Sequence, residues 1–200
     1  MNSEFWSDFN GIEEYRNAFD SDWCKKLIDL FEERSKMQLT EYQRSGKNQD
    51  QRIFMDVASH NKMYHVDSDV VDEFYTTVAK WYEEQYKAKY TILTQEKNIA
   101  VCQHSPKGMS IQKSLPHQGY HYWHCDTGSI STSCRAVTYT LYLNNVEKGG
   151  ETEFIYAGIK VKPEEGKLIF FPTNYIATHR GNPLYKGVKY LVSGWYTWDE

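Results

Sequence analysis

His124-Cys125-Asp126, followed downstream by His179 and then Lys189, are the residues of this chain best suited to do chemistry. On an extended backbone, side chains two positions apart point to the same face of a sheet. An imidazole and a carboxylate on that face, joined by a second imidazole from another strand, form a two-His-one-carboxylate facial triad. Such a triad holds Fe(II) while leaving adjacent coordination positions open. Open positions side by side are what O2 chemistry needs, because oxidant and co-substrate must reach the iron together. Lys189 then offers a fixed cation for the far carboxylate of a dicarboxylic co-substrate.

These side chains need elements to hold them. From residue 97 onward the sequence reads as short strands, at about 97–103, 109–114, 120–126, 135–143, 151–155, 158–162, 167–171, 175–179 and 188–197. Gly149-Gly150 and the PEEG of 163–166 mark turns between them. Many short strands and tight turns predict a sandwich or a squashed barrel. Along the last strand, alternation puts Lys189, Leu191, Ser193 and Trp195 on one face. A lysine in that inward row needs an anion partner. Cys125 lies between two ligands and is expected to face away from them, as packing.

The front of the chain is helical. A short strand is expected over 12–19, then a helix capped by Asp20 or Ser21 with Cys24, Leu27, Ile28 and Phe31 as its apolar stripe. A second helix, over 69–86 and capped by Asp67 or Ser68, carries Val71, Phe74, Val78, Trp81 and Tyr82 on one face. Both are expected to cover one outer sheet. The polar segment between Gln43 and Gln51 (QRSGKNQDQ) reads either as a disordered loop or as a lid over substrate.

Composition bounds the rest. Two hundred residues fit one domain over 1–200, divided into a helical support region over 1–96 and a catalytic core over 97–200. A formal net charge of −4 and a pI near 6.0 give no electrostatic reason to expect a nucleic-acid partner. The four cysteines (Cys24, Cys102, Cys125, Cys134) form no C-x-x-C pair, and no signal-like apolar run opens the chain. The expectation is therefore reduced thiols and a cytoplasmic protein. No stretch approaches the roughly 18 apolar residues of a membrane span, so no membrane partner is expected. The 16 tyrosines and 6 tryptophans fit a β-rich core of polar-tipped rings.

Taken as a set, the motifs resemble the prolyl 4-hydroxylase branch of the 2-oxoglutarate/Fe(II) oxygenases. They are His124/Asp126, Arg135/Thr138/Tyr142-Leu-Asn144, Gly149-Gly150-Glu-Thr152-Glu-Phe154, and His179 with Lys189 ten residues on. The opening segment IEEYRNAFDSDWCKKLIDLFEE is similar to that family's strand-then-helix start. The resemblance implies a mainly β fold with flanking helices, a distorted double-stranded β-helix or cupin-like jelly-roll. It implies Fe(II) on His124, Asp126 and His179, 2-oxoglutarate as co-substrate with O2, and ascorbate as the reductant. Lys189 and Tyr142 are the residues implied for the 5-carboxylate; Tyr142 also reads as a core aromatic with an incidental hydroxyl. One departure stands out. The family often has a tyrosine three residues before the first His ligand, where this chain has His121.

The activity implied is hydroxylation of an unactivated C–H, at the 4-position of prolyl residues in a peptide or protein, with succinate and CO2 as co-products. The alternatives are a hydroxylase of a free amino acid and a non-catalytic jelly-roll used for binding. Nucleic-acid demethylation is disfavoured because Lys189 is followed by an arginine-free tail to Glu200. A rival zinc cluster of His117, His121 and His124 would need a helix where Pro116 and Gly119 oppose one. Arg180 either faces solvent or helps bind substrate. Tyr122 and Trp123 read either as an aromatic wall for a proline ring or as core packing. Oligomeric state is not legible.

Overall fold

The computed structural model describes residues 10–45, 50–56, 68–90, 93, 99–101 and 109–198. Its strands in chain order are β1 (Glu13–Tyr15), β2 (Glu41–Ser45), β3 (Asp50–Asp56), β4 (Ile99–Val101), β5 (Ser110–Ser114), β6 (Arg135–Tyr142) and β7 (Lys148–Gly149). They continue with β8 (Thr152–Phe154), β9 (Ile159–Val161), β10 (Leu168–Pro172), β11 (His179–Gly181), β12 (Leu184–Lys186) and β13 (Lys189–Trp198). Helix α1 spans Ser21–Lys36 and α2 spans Ser68–Trp81, the latter running on through a π-helical turn over Tyr82–Tyr86.

The major sheet has the order β1-β10-β6-β13-β5-β3-β2, with β4 also pairing β13. A minor sheet, β11-β8-β9, faces it, and β12 pairs β7. All strand pairs are antiparallel. Two facing antiparallel sheets of this order make the mainly β jelly-roll with flanking helices that the motifs imply.

Alternation along the central strands decides which residue faces what. On β6, Val137, Tyr139 and Leu141 pack under the helices, while Thr138 and Thr140 face the space between the sheets. On β13, Val192 and Tyr196 join the helix-side core and Lys189, Leu191, Ser193 and Trp195 face inward. The helix-side core takes Cys24, Leu27 and Phe31 from α1 and Val71, Phe74 and Val78 from α2. So the two apolar stripes cover the outer face of the major sheet, as their spacing predicts. Asp20 caps α1 by accepting from Trp23 N at 2.8 Å. A second, smaller core of Tyr142, Phe154, Val161, Ile169, Phe171 and Ala177 fills the space between the sheets.

Four expectations are corrected or narrowed. Residues 120–126 are not a strand: an isolated antiparallel bridge, His124↔His179, and a hydrogen bond from Gly181 N to Tyr120 O at 2.7 Å tie them to the minor sheet. Gly119 and the Asp126–Thr127 turn break the ladder, with Asp126 N and Thr127 N both donating to Thr173 O. The strand expected over 175–179 is a 3-10 turn (Tyr175–Ala177) capped by Asn174, and β11 begins only at His179. Between Gln43 and Gln51, residues 43–45 and 50–51 lie on the paired strands β2 and β3, which extend the major sheet beyond β5. Residues 46–49 lie outside the described set. Of the two expected caps of α2, Ser68 is already inside the helix, and Asp67 lies outside the described residues.

Candidate metal centre and co-substrate pocket

Three elements bring the predicted ligands together. His179 opens β11, His124 sits on the bridge opposite it, and Asp126 lies in the turn just after. The bridge is reciprocal, with His124 N donating to His179 O at 3.0 Å and His179 N to His124 O at 2.9 Å. One ligand atom from each of the three side chains lies within 4.8 Å of the others, and among the described residues no other cluster of this kind occurs. His124 Nε2 stands 3.7 Å from Asp126 Oδ1.

The orientation of all three is fixed from behind. Nδ1 of His124 faces Tyr122 O at 2.9 Å, and Nδ1 of His179 faces Ala177 O at 3.0 Å. A carbonyl can only accept, so each Nδ1 carries the proton and each Nε2 keeps its lone pair for a metal. Asp126 Oδ2 accepts from Thr138 Oγ1 at 2.5 Å and from Trp195 Nε1 at 3.1 Å, which leaves Oδ1 toward the histidines. Arg135 is stacked 3.5 Å above the Trp195 ring and donates to Asp126 O at 3.1 Å. Two neutral imidazoles and one carboxylate, aimed at a common point, fit a divalent first-row cation of the Fe(II) type.

The triad opens into a cavity of about 340 Å³ between the sheets. Lys189, Leu191, Ser193 and Trp195 of β13 run along one wall, flanked by Ser110, Gln112 and Ser114 of β5 and by Thr138 and Thr140 of β6. Thr152 of β8 and His179 and Gly181 of β11 form the opposite side. Lys189 is 4% exposed and donates to Gly150 O at 3.0 Å. Gly150 has φ +76°, and a Cβ there would meet Lys189 Cδ at 3.4 Å. A glycine is thus what lets the backbone come up against this lysine. An ammonium so enclosed favours a carboxylate entering the cavity.

Tyr142 is brought to the neighbourhood but not to the wall. It is fully buried in the inter-sheet core, and its hydroxyl is 2.6 Å from Thr152 Oγ1, which does line the cavity. Burial pushes its phenol pKa well up, so the group is a neutral donor. The zinc alternative finds no support among the described residues: exposed His117 has φ +67°, and His121 Nδ1 faces Gly181 O at 2.8 Å. The aromatic wall reduces to Tyr120, which lines the cavity 4.4 Å from the His124 ring; Trp123 is 37% exposed on the other side of the bridge. Arg180 is bound to Glu153, Asn182 and Trp123.

Thr138 and Trp195 prove to be the groups that hold the ligand carboxylate, a role that inward alternation hints at but cannot assign. Arg135, at the same end of the cavity, is recognisable in the sequence only as part of a strand motif.

Comparisons with known proteins agree with this geometry. A family model described as 2OG-Fe(II) oxygenase superfamily matches residues 109–197. A curated relative, prolyl 4-hydroxylase 13 of Arabidopsis thaliana, is 35% identical over 130 residues, covering 50% of this chain and 47% of its own. The chain thus spans about half the length of that relative. Among solved structures, the viral collagen prolyl hydroxylase of Paramecium Bursaria Chlorella virus-1, in its 2OG complex, superposes with a TM-score of 0.66 at 18% identity. That match covers 97% of this chain and 99% of the other. A prolyl hydroxylase from Trichoplax adhaerens, in complex with a hypoxia inducible factor peptide fragment, gives a TM-score of 0.69 at 14% identity over 95% of this chain and 84% of its own.

Proposed function

We propose, for a chain whose residues 109–197 match the 2OG-Fe(II) oxygenase superfamily, that it is a dioxygenase hydroxylating C-4 of prolyl residues within a peptide or protein. One observation carries the reading. The ligand atoms of His124, Asp126 and His179 converge at one part of a cavity whose wall, along β13, ends in a buried lysine.

On this reading His124, Asp126 and His179 hold Fe(II), and Lys189 holds the 5-carboxylate of 2-oxoglutarate. When bound, iron and 2-oxoglutarate supply the oxidising power, with O2 consumed and succinate and CO2 released. The chain's own share is placement. Thr138 and Trp195 keep Asp126 turned to the metal, while the Tyr122 and Ala177 carbonyls keep both imidazoles in the ligating tautomer. Lys189 fixes one end of the co-substrate, and Thr152, backed by the Tyr142 hydroxyl, adds a neutral polar group beside it. Tyr142 therefore acts through Thr152 and not by direct contact. Ascorbate is the reductant we assign, and the free Cys24, Cys125 and Cys134 are consistent with the cytoplasmic location we assign.

A peptide is favoured over a free amino acid by the lining itself. A free amino acid brings an ammonium that needs an acid. Among the described residues, the only carboxylate lining the cavity is Asp126, which the metal uses. A prolyl residue inside a chain carries no such charge, and its ring suits the aromatic Tyr120 on the cavity wall. The names of the similar proteins, prolyl 4-hydroxylases and prolyl hydroxylases, support the same substrate class. The test is succinate release across a panel of proline-containing peptides and free amino acids. Peptide-stimulated release, with one oxygen added to a proline ring, is expected. Stimulation by free proline alone would move the assignment to the small-molecule alternative.

A further inference from the structure

A single bridge joins His124 to His179 of β11, and a row of side chains crosses the far side of it. On β9, β8 and β11, Lys160, Glu153 and Arg180 are consecutive cross-strand partners. The antiparallel bridge His124↔His179 puts Trp123 opposite Arg180 in turn. The contacts are continuous: Lys160 Nζ to Glu153 Oε1 at 3.2 Å, and Arg180 Nη2 and Nε to Glu153 Oε2 at 2.8 and 3.1 Å. The Arg180 guanidinium then lies 4.3 Å from the Trp123 ring centre. Asn182 Oδ1 accepts from the same Nε at 3.1 Å and fixes the arginine's plane along the strand.

The last two members of this row are each next in sequence to a ligand, Trp123 to His124 and Arg180 to His179. Because successive side chains on an extended backbone alternate, the row occupies the face opposite the imidazoles. Cross-strand pairs are the unit by which a ladder is held, and the segment carrying His124 has no strand ladder of its own. We infer that Arg180 and Trp123 are positioning residues: their stack clamps the bridge and so sets the separation of the two histidine ligands. The inference rests on the metal-site reading above. It accounts for an arginine held on the face away from the cavity, and for an exposed tryptophan beside a ligand.

The test uses the full-length protein without iron and reads anaerobic binding of Co(II), by its visible d–d bands, and of Mn(II). Arg180→Ala and Trp123→Ala should each weaken both metals roughly ten-fold, the lower end of what outer-shell partners of metal ligands contribute. The double variant should lose no more than the weaker single one, since both remove the same contact. Trp123→Phe, which keeps an aromatic face under the guanidinium, should recover most of the affinity and the wild-type band pattern. Melting of the metal-free variants separates this from a general loss of fold, and if Arg180→Ala fails to fold, Trp123→Ala and Trp123→Phe carry the comparison. Affinities within two-fold of wild type, or a Trp123→Phe variant as weak as Trp123→Ala, would overturn the clamp. Absence of Co(II) binding in the wild type, or unchanged binding in His179→Ala, would instead overturn the metal-site reading.

Discussion

Trp195 donates its indole N–H to Asp126 Oδ2 at 3.1 Å, on the side of the carboxylate away from the Oδ1 that faces His124. A tryptophan near the end of the last strand therefore decides which oxygen of a residue in a distant turn is available to a metal. Thr138, paired with Trp195 across β6 and β13, donates to the same Oδ2.

Removing either donor should free the carboxylate to rotate. Thr138→Val and Trp195→Phe keep most of the packing and are expected to weaken Mn(II) binding by roughly ten- to a hundred-fold, the range seen for outer-shell partners of metal ligands. Titration of the metal against each variant checks this, with Ser193→Ala as a cavity substitution that should leave the metal affinity unchanged. Equal affinity in all of them would mean that Asp126 is oriented by its backbone alone.

Lys189 is the buried cation of the cavity wall, and its loss should be felt by the co-substrate and not by the metal. A charge-assisted hydrogen bond contributes about 1.5–3 kcal/mol, so Lys189→Ala should raise the 2-oxoglutarate requirement by roughly ten- to a hundred-fold. Metal affinity should stay at the wild-type value. Gly150→Ala is expected to push in the same direction more mildly, because its φ of +76° and the 3.4 Å approach of a Cβ to Lys189 Cδ both resist the methyl group. Dependence of succinate release on 2-oxoglutarate concentration reads both.

Tyr142 and Thr152 should separate direct from indirect contact. With the Tyr142 hydroxyl 2.6 Å from Thr152 Oγ1, Tyr142→Phe is expected to raise the 2-oxoglutarate requirement only a few-fold. Thr152→Val, which changes the wall itself, should cost more. The reverse order would place the tyrosine hydroxyl in direct contact with the co-substrate.

Much of this site is legible in the sequence because it depends on period two. Alternation alone assigns Lys189, Leu191, Ser193 and Trp195 to one inward face, and the cavity wall bears that out. The apolar stripes of α1 and α2 are readable for the same kind of reason, at a helical period. What escapes is whatever tertiary contacts impose on irregular backbone. His124 and Asp126 read as neighbours on a strand, yet they are held by one bridge and a turn whose amides bond to Thr173 O. Tyr175–Ala177 has the β-branched and aromatic content of a strand, but the Asn174 cap turns it into a 3-10 turn. The segment around Gln43 has no apolar anchors, and strand β3 is recruited by backbone pairing with β5. Arg180 reads as either solvent-facing or substrate-binding, and Trp123 as either a substrate wall or core packing, because nothing in their spacing announces a partner across a bridge.

The acid side of stability should report Glu32. Burial works to raise its pKa, but hydrogen bonds from Lys113 and Tyr190 and the nearby positive charges outweigh it and hold the carboxyl below the ordinary glutamate value. A folded pKa that is depressed contributes stability present above the unfolded pKa and lost as pH falls through the folded one. Urea midpoints measured from about pH 6 down to about pH 3, bracketing the usual glutamate pKa of about 4.3, should fall less steeply for Glu32→Gln than for wild type. The difference should stay within about 1 kcal/mol, since the pair is partly exposed. Parallel slopes would show that α1 and β13 are not tied through this carboxylate.

The most direct test of the whole account is coupled turnover: succinate and oxygenated proline counted together, with Fe(II), 2-oxoglutarate, ascorbate and a proline-containing peptide. The account predicts one succinate for each prolyl residue gaining an oxygen at C-4, and neither product from His179→Ala under the same conditions. Equal turnover in His179→Ala, or a wild-type protein that releases no succinate with any peptide or amino acid while binding the metal at His124, Asp126 and His179, would contradict it.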